Sequence, residues 1–451
     1  MANSNVKDMT SGNTMRHILL FSIPVVLGNL FQQFYNMADT IIVGRFLGED
    51  ALAAVGSTGS LMFLVLGFAI GIAQGFGIMV SQAFGARDMK LLKHYVALSI
   101  MIGLIVSVVM SILTITASRE LLILMKTPQN ILDTANEYIT IIYAGILATM
   151  FYNIAAAILR GVGNSRIPLY FLFFSSLLNI VLDLVFILVF HMGPEGAAYA
   201  TVLSQGISAV LCFYYMFHQF EMLRPKKRDY YFDAGSTRRL LVIALPMALN
   251  YSITAIGTMV LQTAVNTFGS SVVAAYTAAS KVEMLVTQPM PALATAMATY
   301  NGQNLGAAKY QRIFDGMKKA FFLCVALAGI SVVLTLFLAD PIIHLFLKNP
   351  SDEMMTYAMQ YLQTICFFYF WLVMVFFYRN SLQGLGISFM PMMSGVFELV
   401  GRFLAVALLI GPFGYWAVRL ASPVAWFLAA VPLMFTYASW KKKIIATHKD
   451  L

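Results

Sequence analysis

Charge is what this sequence has least of. Of 451 residues, 11% are Asp, Glu, Lys or Arg, while 60% are hydrophobic. Soluble domains carry roughly 25% charged residues. A globule in water must cover itself with polar groups, so this balance excludes a water-soluble fold. Cysteine is also scarce. Cys212, Cys324 and Cys366 all fall in apolar stretches, which excludes a disulfide framework and a thiolate metal site and leaves them as small core residues. The six histidines show no metal-ligand spacing. No G-x-x-x-x-G-K-[ST] phosphate loop occurs, so the chain does not hydrolyse ATP by that motif. No catalytic pair stands out, and the reading is of a protein that is not an enzyme and needs no cofactor. A cleavable leader is not expected either. Residues 1–15 are polar, and the apolar stretch from Ile18 to Val43 is too long for a signal segment.

What is present is a series of long apolar runs. They span about 16–44, 51–80, 94–117, 131–158, 167–190, 195–218, 238–266, 272–300, 314–338, 353–379, 391–410 and 414–437. About 20 apolar residues cross a bilayer as a helix. The expected fold is therefore an all-α membrane protein with twelve transmembrane helices. Lysine and arginine fix its orientation. The termini and every second loop hold 22 of them, Arg379 included, and the other loops hold 4, Lys348 included. Such a bias places both termini in the cytoplasm. It also accounts for the net charge of +9 without nucleic acid as a partner.

The chain repeats itself. Pro24 matches Pro246, Ala53-Ala54 matches Ala274-Ala275, and Gln82-Ala83-Phe84-Gly85-Ala86 matches Gln303-Asn304-Leu305-Gly306-Ala307. Lys126-Thr127-Pro128 matches Lys348-Asn349-Pro350, and Arg160-Gly161-Val162-Gly163 with Pro168 matches Gln383-Gly384-Leu385-Gly386 with Pro391. Gly193-Pro194-Glu195-Gly196 is paired with Gly411-Pro412-Phe413-Gly414. The expected domains are an N-lobe at 1–220 with six helices, a basic cytoplasmic linker at 221–237, and a C-lobe at 238–451 with six more. Six is even, so the halves insert in the same sense, related by a pseudo-twofold axis along the membrane normal. Pairs of this kind commonly enclose a transport cavity.

Charges inside membrane segments are costly and mark function. Asp39 in the first span and Asp183 in the fifth lie at similar depths, roughly 9–12 Å from the outer surface by helical rise. Asn179 shares a helix face with Asp183, and Thr201 and Tyr138 fall near the same level. Together they form a candidate site for a proton or for a sodium ion, and the same oxygens of Asp39, Asn179, Asp183 and Thr201 would be its metal ligands only in the sodium case. The repeat partners of the two aspartates are Leu261 and about Val406, so the pair belongs to one half only. In the other half, Glu398 and Arg402 are four apart and can pair. Glu283 and Glu398 are possible contacts for a cationic substrate. Pro24 removes a helix hydrogen bond, which makes it a candidate hinge on the helix that carries Asp39, one helix arm away. Pro289 and Pro291 mark a second bend.

The segments IPVVLGNLFQQFYNMADTIIVGRFLGEDALAAVG, QAFGARD, ILRGVGNSRIP and QNLGA, with Asn179-x-x-x-Asp183 and Thr201, resemble bacterial multidrug and toxic compound extrusion (MATE) transporters over nearly the whole chain. The resemblance implies two six-helix lobes forming a V-shaped cavity in the plasma membrane. It implies secondary active export of organic, often cationic, drugs by antiport with H⁺ or Na⁺. It places the cation site on Asp39, Asn179, Asp183 and Thr201, with Tyr138 nearby. Such a transporter is expected to work as a monomer in lipid, without an ATPase subunit. Another branch of the family carries acids in helices 7 and 10, where this chain has none. The alternatives are a flippase for lipid-linked oligosaccharides and, more remotely, a membrane-embedded enzyme or receptor.

Overall fold

A computed structural model describes residues 6–346 and 350–448. Among them there are helices and connecting turns and no strands. The first half comprises α1 (Thr14–Leu47), α2 (Glu49–Gly85), α3 (Met89–Leu124), α4 (Gln129–Ala144), α5 (Ile146–Gly161), α6 (Arg166–Leu184) and α7 (Pro194–Gln219). The second comprises α8 (Ala234–Asn266), α9 (Ser270–Thr287), α10 (Pro289–Gly306), α11 (Tyr310–Phe346), α12 (Asp352–Cys366), α13 (Tyr369–Gly384), α14 (Phe389–Phe413) and α15 (Trp416–Thr447).

Nine of these helices are long and apolar enough to cross a membrane. Two bent pairs, α4 with α5 at 45° and α12 with α13 at 55°, qualify when each is joined. The twelfth span is α9 with α10. It carries Lys281 and Glu283 and is interrupted at Gln288, where Pro289 and Pro291 follow. Proline has no N–H to continue the ladder, which sets the break there. On α3, Leu104, Ile105, Val108, Val109, Ile112 and Leu113 are all exposed. A stripe of that kind is stable only against lipid.

The repeat is visible in the backbone as well as in the residues. The break at Gly145 between α4 and α5 lies 222 residues before Phe367, where α12 gives way to α13. Gly48 and Gly269 share a φ of about 90°, Arg87 and Ala308 one near 55°, and Gly163 and Gly386 one near 80°. The close helix crossing is duplicated too. A Cβ on Gly161 would stand 2.7 Å from the Gly77 carbonyl, and one on Gly384 would collide with the Ala298 carbonyl. One pairing needs correction. Pro194 opens α7, whereas Pro412 lies inside α14, and the helix equivalent to α7 opens at Trp416. The shared Gly-Pro-x-Gly pattern is local and not positional. The other pairing that includes Lys348 lies partly outside the described residues.

The chain forms two compact units. One holds Met1–Met9 and Ile23–Ala248, the other Thr10–Ser22 and Leu249–Leu451. These divisions differ from the expected 1–220 and 238–451 because each half lends a segment to the other. The first half of α8 joins the first unit because Gly71 and Gly75 of α2 let its backbone come close. A Cβ on Gly71 would stand 2.5 Å from the Ala248 Cα. Leu240, Ile243, Ala244 and Met247 accordingly sit in a core with Phe76, Tyr95 and Met150. Thr10–Ser22, which includes the start of α1, joins the second unit through polar contacts. Thr14 Oγ1 lies 3.2 Å from the Tyr300 hydroxyl, Lys309 Nζ donates to the Thr10 carbonyl at 2.7 Å, and Arg312 donates to Gly12 and Ser11. Two of the three changes of unit fall within two residues of Pro24 and Pro246.

Candidate functional site

The first unit gathers the polar residues that the sequence placed at one depth. Asp39 sits on the last third of α1. Asn179 and Asp183 end α6 one turn apart, and a five-residue π-helical segment, Val185–Val189, follows at once. Wide turns of that kind recur at functional sites. Asn179 and Asp183 are buried, and Asp39 is half-buried. The carboxyl groups of Asp39 and Asp183 adjoin each other. No donor reaches Asp39 Oδ1, either oxygen of Asp183, or Asn179 Oδ1. Asn179 Nδ2 donates instead to Thr201 Oγ1 on α7 at 3.3 Å. Tyr138 on α4 is buried and lies within electrostatic reach of both aspartates. Ile42, Val43, Ile142, Ile187, Ala197 and Ala198 pack around this group. All five residues singled out in the sequence are therefore neighbours.

Tyr35 is a sixth member of the group. The Tyr35 hydroxyl lies 3.4 Å from Thr201 Oγ1 and within electrostatic reach of Asp39 and Asp183. Tyr35 precedes Asp39 by four residues, so helical spacing alone could have found it. Tyr35 and Thr201 also line a cavity of about 330 Å³ inside this unit, whose wall includes Pro24, Asn153, Ser176 and Gln205. Gln205 Oε1 accepts from Thr149 Oγ1 at 2.5 Å. Pro24, the candidate hinge, is thus a wall residue of the cavity, within a helix that continues past it to Leu47.

Glu283 and Glu398 lie in the second unit and line a cavity of about 310 Å³. Glu283 accepts from the Tyr361 hydroxyl at 3.0 Å. Glu398 pairs with Arg402 at 3.3 Å and, more closely, with Arg379. Arg379 corrects the charge count. Its position near the end of α13 had placed it in a loop, but it is buried and also donates to Ser394 Oγ at 3.0 Å. A carboxylate on the neighbouring helix, invisible in local sequence, draws it inward. Lys348, the other residue at issue in that count, lies outside the described residues. Among the described residues, no three His, Cys, Asp or Glu cluster as a multivalent metal site would. The three cysteines are free and buried.

Known proteins share both sequence and fold with this chain. It is 28% identical to the probable multidrug resistance protein YpnP of Bacillus subtilis, over 98% of this chain and 99% of that one. It is 24% identical to an FAD transporter of Shewanella oneidensis, over 74% of this chain and 75% of that one. A multidrug resistance MATE family transporter of the MOP superfamily, solved in the outward-facing conformation, superposes with a TM-score of 0.89 at 24% identity over the whole of both chains. The MatE family profile matches residues 24–185 and 246–408, which is most of the chain and both halves of the repeat. The chain belongs to the MatE family of multidrug efflux transporters.

Proposed function

We propose that this protein exports organic, often cationic, compounds across the plasma membrane in exchange for H⁺ or Na⁺, with both termini cytoplasmic and a single chain sufficient. The observation that carries the coupling is the adjoining pair Asp39 and Asp183, in which Asp39 Oδ1 and both oxygens of Asp183 are buried with no donor. Two carboxylates in contact within a low-dielectric interior repel unless a cation stands between them. A proton shared by the pair would serve. A sodium ion would serve as well, because Asn179 Oδ1 and the Thr201 hydroxyl add neutral oxygens of the kind it prefers. The coupling ion is cargo in either case, bound on one side and released on the other.

The cavity beside the pair supports a link between ion and substrate. Tyr35 and Thr201 belong to both. An ion at the carboxylates changes the charge felt in the cavity through these two side chains, and a cationic substrate there disfavours a second cation. Pro24 and Asp39 stand on one helix, so the occupancy of the pair can be read as a change in α1 at Pro24. The energies are adequate. Moving one positive charge out against 100 mV costs about 2.3 kcal/mol, and a proton entering returns about as much. The names of the relatives favour drug export, while the FAD transporter among them keeps a second substrate class in view.

The test is transport by the purified protein in proteoliposomes. A proton gradient and a sodium gradient are imposed separately, and movement of a fluorescent organic cation is followed. One gradient should drive transport and the other should not. If neither moves any organic cation, while a labelled lipid-linked sugar changes leaflet, the export reading fails and the flippase reading replaces it.

A further inference from the structure

The two halves of the repeat cover equivalent surfaces differently. α3 and α11 open at Met89 and Tyr310, 221 residues apart, and α7 and α15 open at Pro194 and Trp416, 222 apart. In the first unit α7 ends at Gln219 and the chain folds back over α3. Phe220 and Leu223 enter the core with Leu92 and Tyr95, and Tyr231 stacks on His94 with ring centres 4.1 Å apart. Ala97 and Leu98 of α3 are buried. In the second unit Lys441 stands at the position of Gln219, and α15 runs past it to Thr447 instead of turning back. Asp315 takes the place of His94, and the counterparts of Ala97 and Leu98 are Lys318 and Lys319, both exposed. A groove of about 630 Å³ is left between α11 and α15, with Tyr378 of α13 on its wall.

The lining defines what fills the groove. Lys318 and Lys441 stand on its wall near the start of α11 and the end of α15, and Lys441 Nζ lies 5.1 Å from the centre of the Phe314 ring. Neither lysine is in an ion pair among the described residues. Asp315 is the acid on the same wall, and it is outnumbered, since Lys319, Lys442 and Lys443 adjoin the two lysines in sequence and are exposed as well. The rest of the lining is apolar or aromatic and includes Phe321, Phe322, Met434 and Tyr437. Phe322 and, beside Met434, Phe435 are exposed on helices that cross the membrane, so the groove opens toward lipid. A basic rim over an apolar trough, with Tyr437 against Trp440 at the level where such rings meet headgroups, fits a molecule that is anionic at one end and apolar at the other. We infer that this groove is a binding site for an anionic phospholipid, its phosphate on Lys318 and Lys441 and an acyl chain along Phe321, Phe322 and Met434. The lipid does for α11 what the returning chain does for α3. The site lies wholly within the second unit and stands apart from the export reading.

Trp440 supplies the reporter, because its ring lies 6.1 Å from those of both Phe314 and Tyr437 on the groove wall. The full-length protein is placed in phosphatidylcholine nanodiscs doped with a dioleoyl lipid brominated along its chains, either phosphatidylglycerol or phosphatidylcholine. Each form is paired with its Trp440→Phe version, and the difference in fluorescence isolates quenching at Trp440. In wild type, brominated phosphatidylglycerol should reach half-quenching at a mole fraction about 25-fold lower than brominated phosphatidylcholine, about fivefold for each lysine. Lys318→Gln or Lys441→Gln alone should cut that preference about fivefold, and the two together should abolish it. Lys226→Gln with Lys227→Gln, an equal loss of charge on the linker of the first unit, should leave it unchanged. Equal quenching of wild type by the two lipids overturns the assignment whether or not any variant folds. So does a preference that the linker pair lowers as much as the groove pair.

Discussion

The arrangement around Glu398 predicts an unequal response to three substitutions that look alike on paper. Glu398, Arg379 and Arg402 are all buried. Replacing Glu398 with Gln strands two guanidinium groups at once. Breaking a buried ion pair by removing one partner costs about 3–5 kcal/mol, and Glu398→Gln should lie at or above the top of that range. Arg379→Gln removes the closer contact and the bond to Ser394, but leaves Glu398 with Arg402. Its cost should be about 2–3 kcal/mol, that of a hydrogen bond to a charged group. Arg402→Gln removes one bond of 3.3 Å and also two unmatched buried donors. These changes oppose each other, so the net effect should stay within about 1.5 kcal/mol. Unfolding by SDS in mixed micelles, followed by intrinsic fluorescence, gives the ranking. Trp426, one of four tryptophans, lines the same cavity. If Arg402→Gln destabilises as much as Glu398→Gln, the lost bond and the relieved donors at Arg402 do not offset each other, and the reasoning is refuted.

Three further outcomes follow from other parts of the fold. Valine at Gly77, Gly161 or Gly384 should abolish folded yield or cost at least about 1–3 kcal/mol by overpacking the duplicated crossing, while Gly329→Ala, with nothing within 4 Å of the added Cβ, should be neutral or stabilising; equal yields of all four would contradict the crossing. His94 places Nδ1 at 2.9 Å from the Asp229 carbonyl and Nε2 at 2.7 Å from Asp233 Oδ2. The Ser236 backbone amide and then His94 hold the Asp233 carboxyl down at about 2. A lowered folded value stabilises above the ordinary carboxylate range and is lost as pH falls from about 4 toward 2. Trypsin cleavage at Lys226, Lys227 and Arg228 should therefore quicken with Asp233→Asn at neutral pH, and an unchanged digestion rate would show that the His94–Asp233 contact does not hold the linker. Pro24→Ala should slow gradient-driven transport while leaving substrate binding in place, and unchanged transport would remove Pro24 from the mechanism.

Much of this was legible in the residues. The twelve apolar runs and the duplication rest on composition and spacing, which a membrane makes unusually informative because every span must be a helix. The grouping of Asp39, Asn179, Asp183, Thr201 and Tyr138 was legible because depth along a spanning helix follows from residue count. What was hidden depended on contacts between distant segments. The transfer of the first half of α8 to the first unit rests on Gly71 and Gly75 meeting Ala248 and Ala244, and nothing local to either segment signals it. Arg379 read as a loop charge because its acceptor, Glu398, lies on a different helix. The Gly-Pro-x-Gly pairing misled because a short pattern can recur out of register. Tyr35 lies one helical turn before Asp39, but a phenol in an apolar helix is a weaker signal than an acid.

The central claim is that Asp39 and Asp183 couple ion to substrate without being needed for substrate movement itself. It is tested most directly by comparing two assays on Asp39→Asn and Asp183→Asn in proteoliposomes, namely substrate counterflow with no ion gradient and uphill transport driven by one. The account predicts that counterflow survives in both variants while gradient-driven accumulation is lost. Gradient-driven accumulation at the wild-type rate in both variants would contradict it.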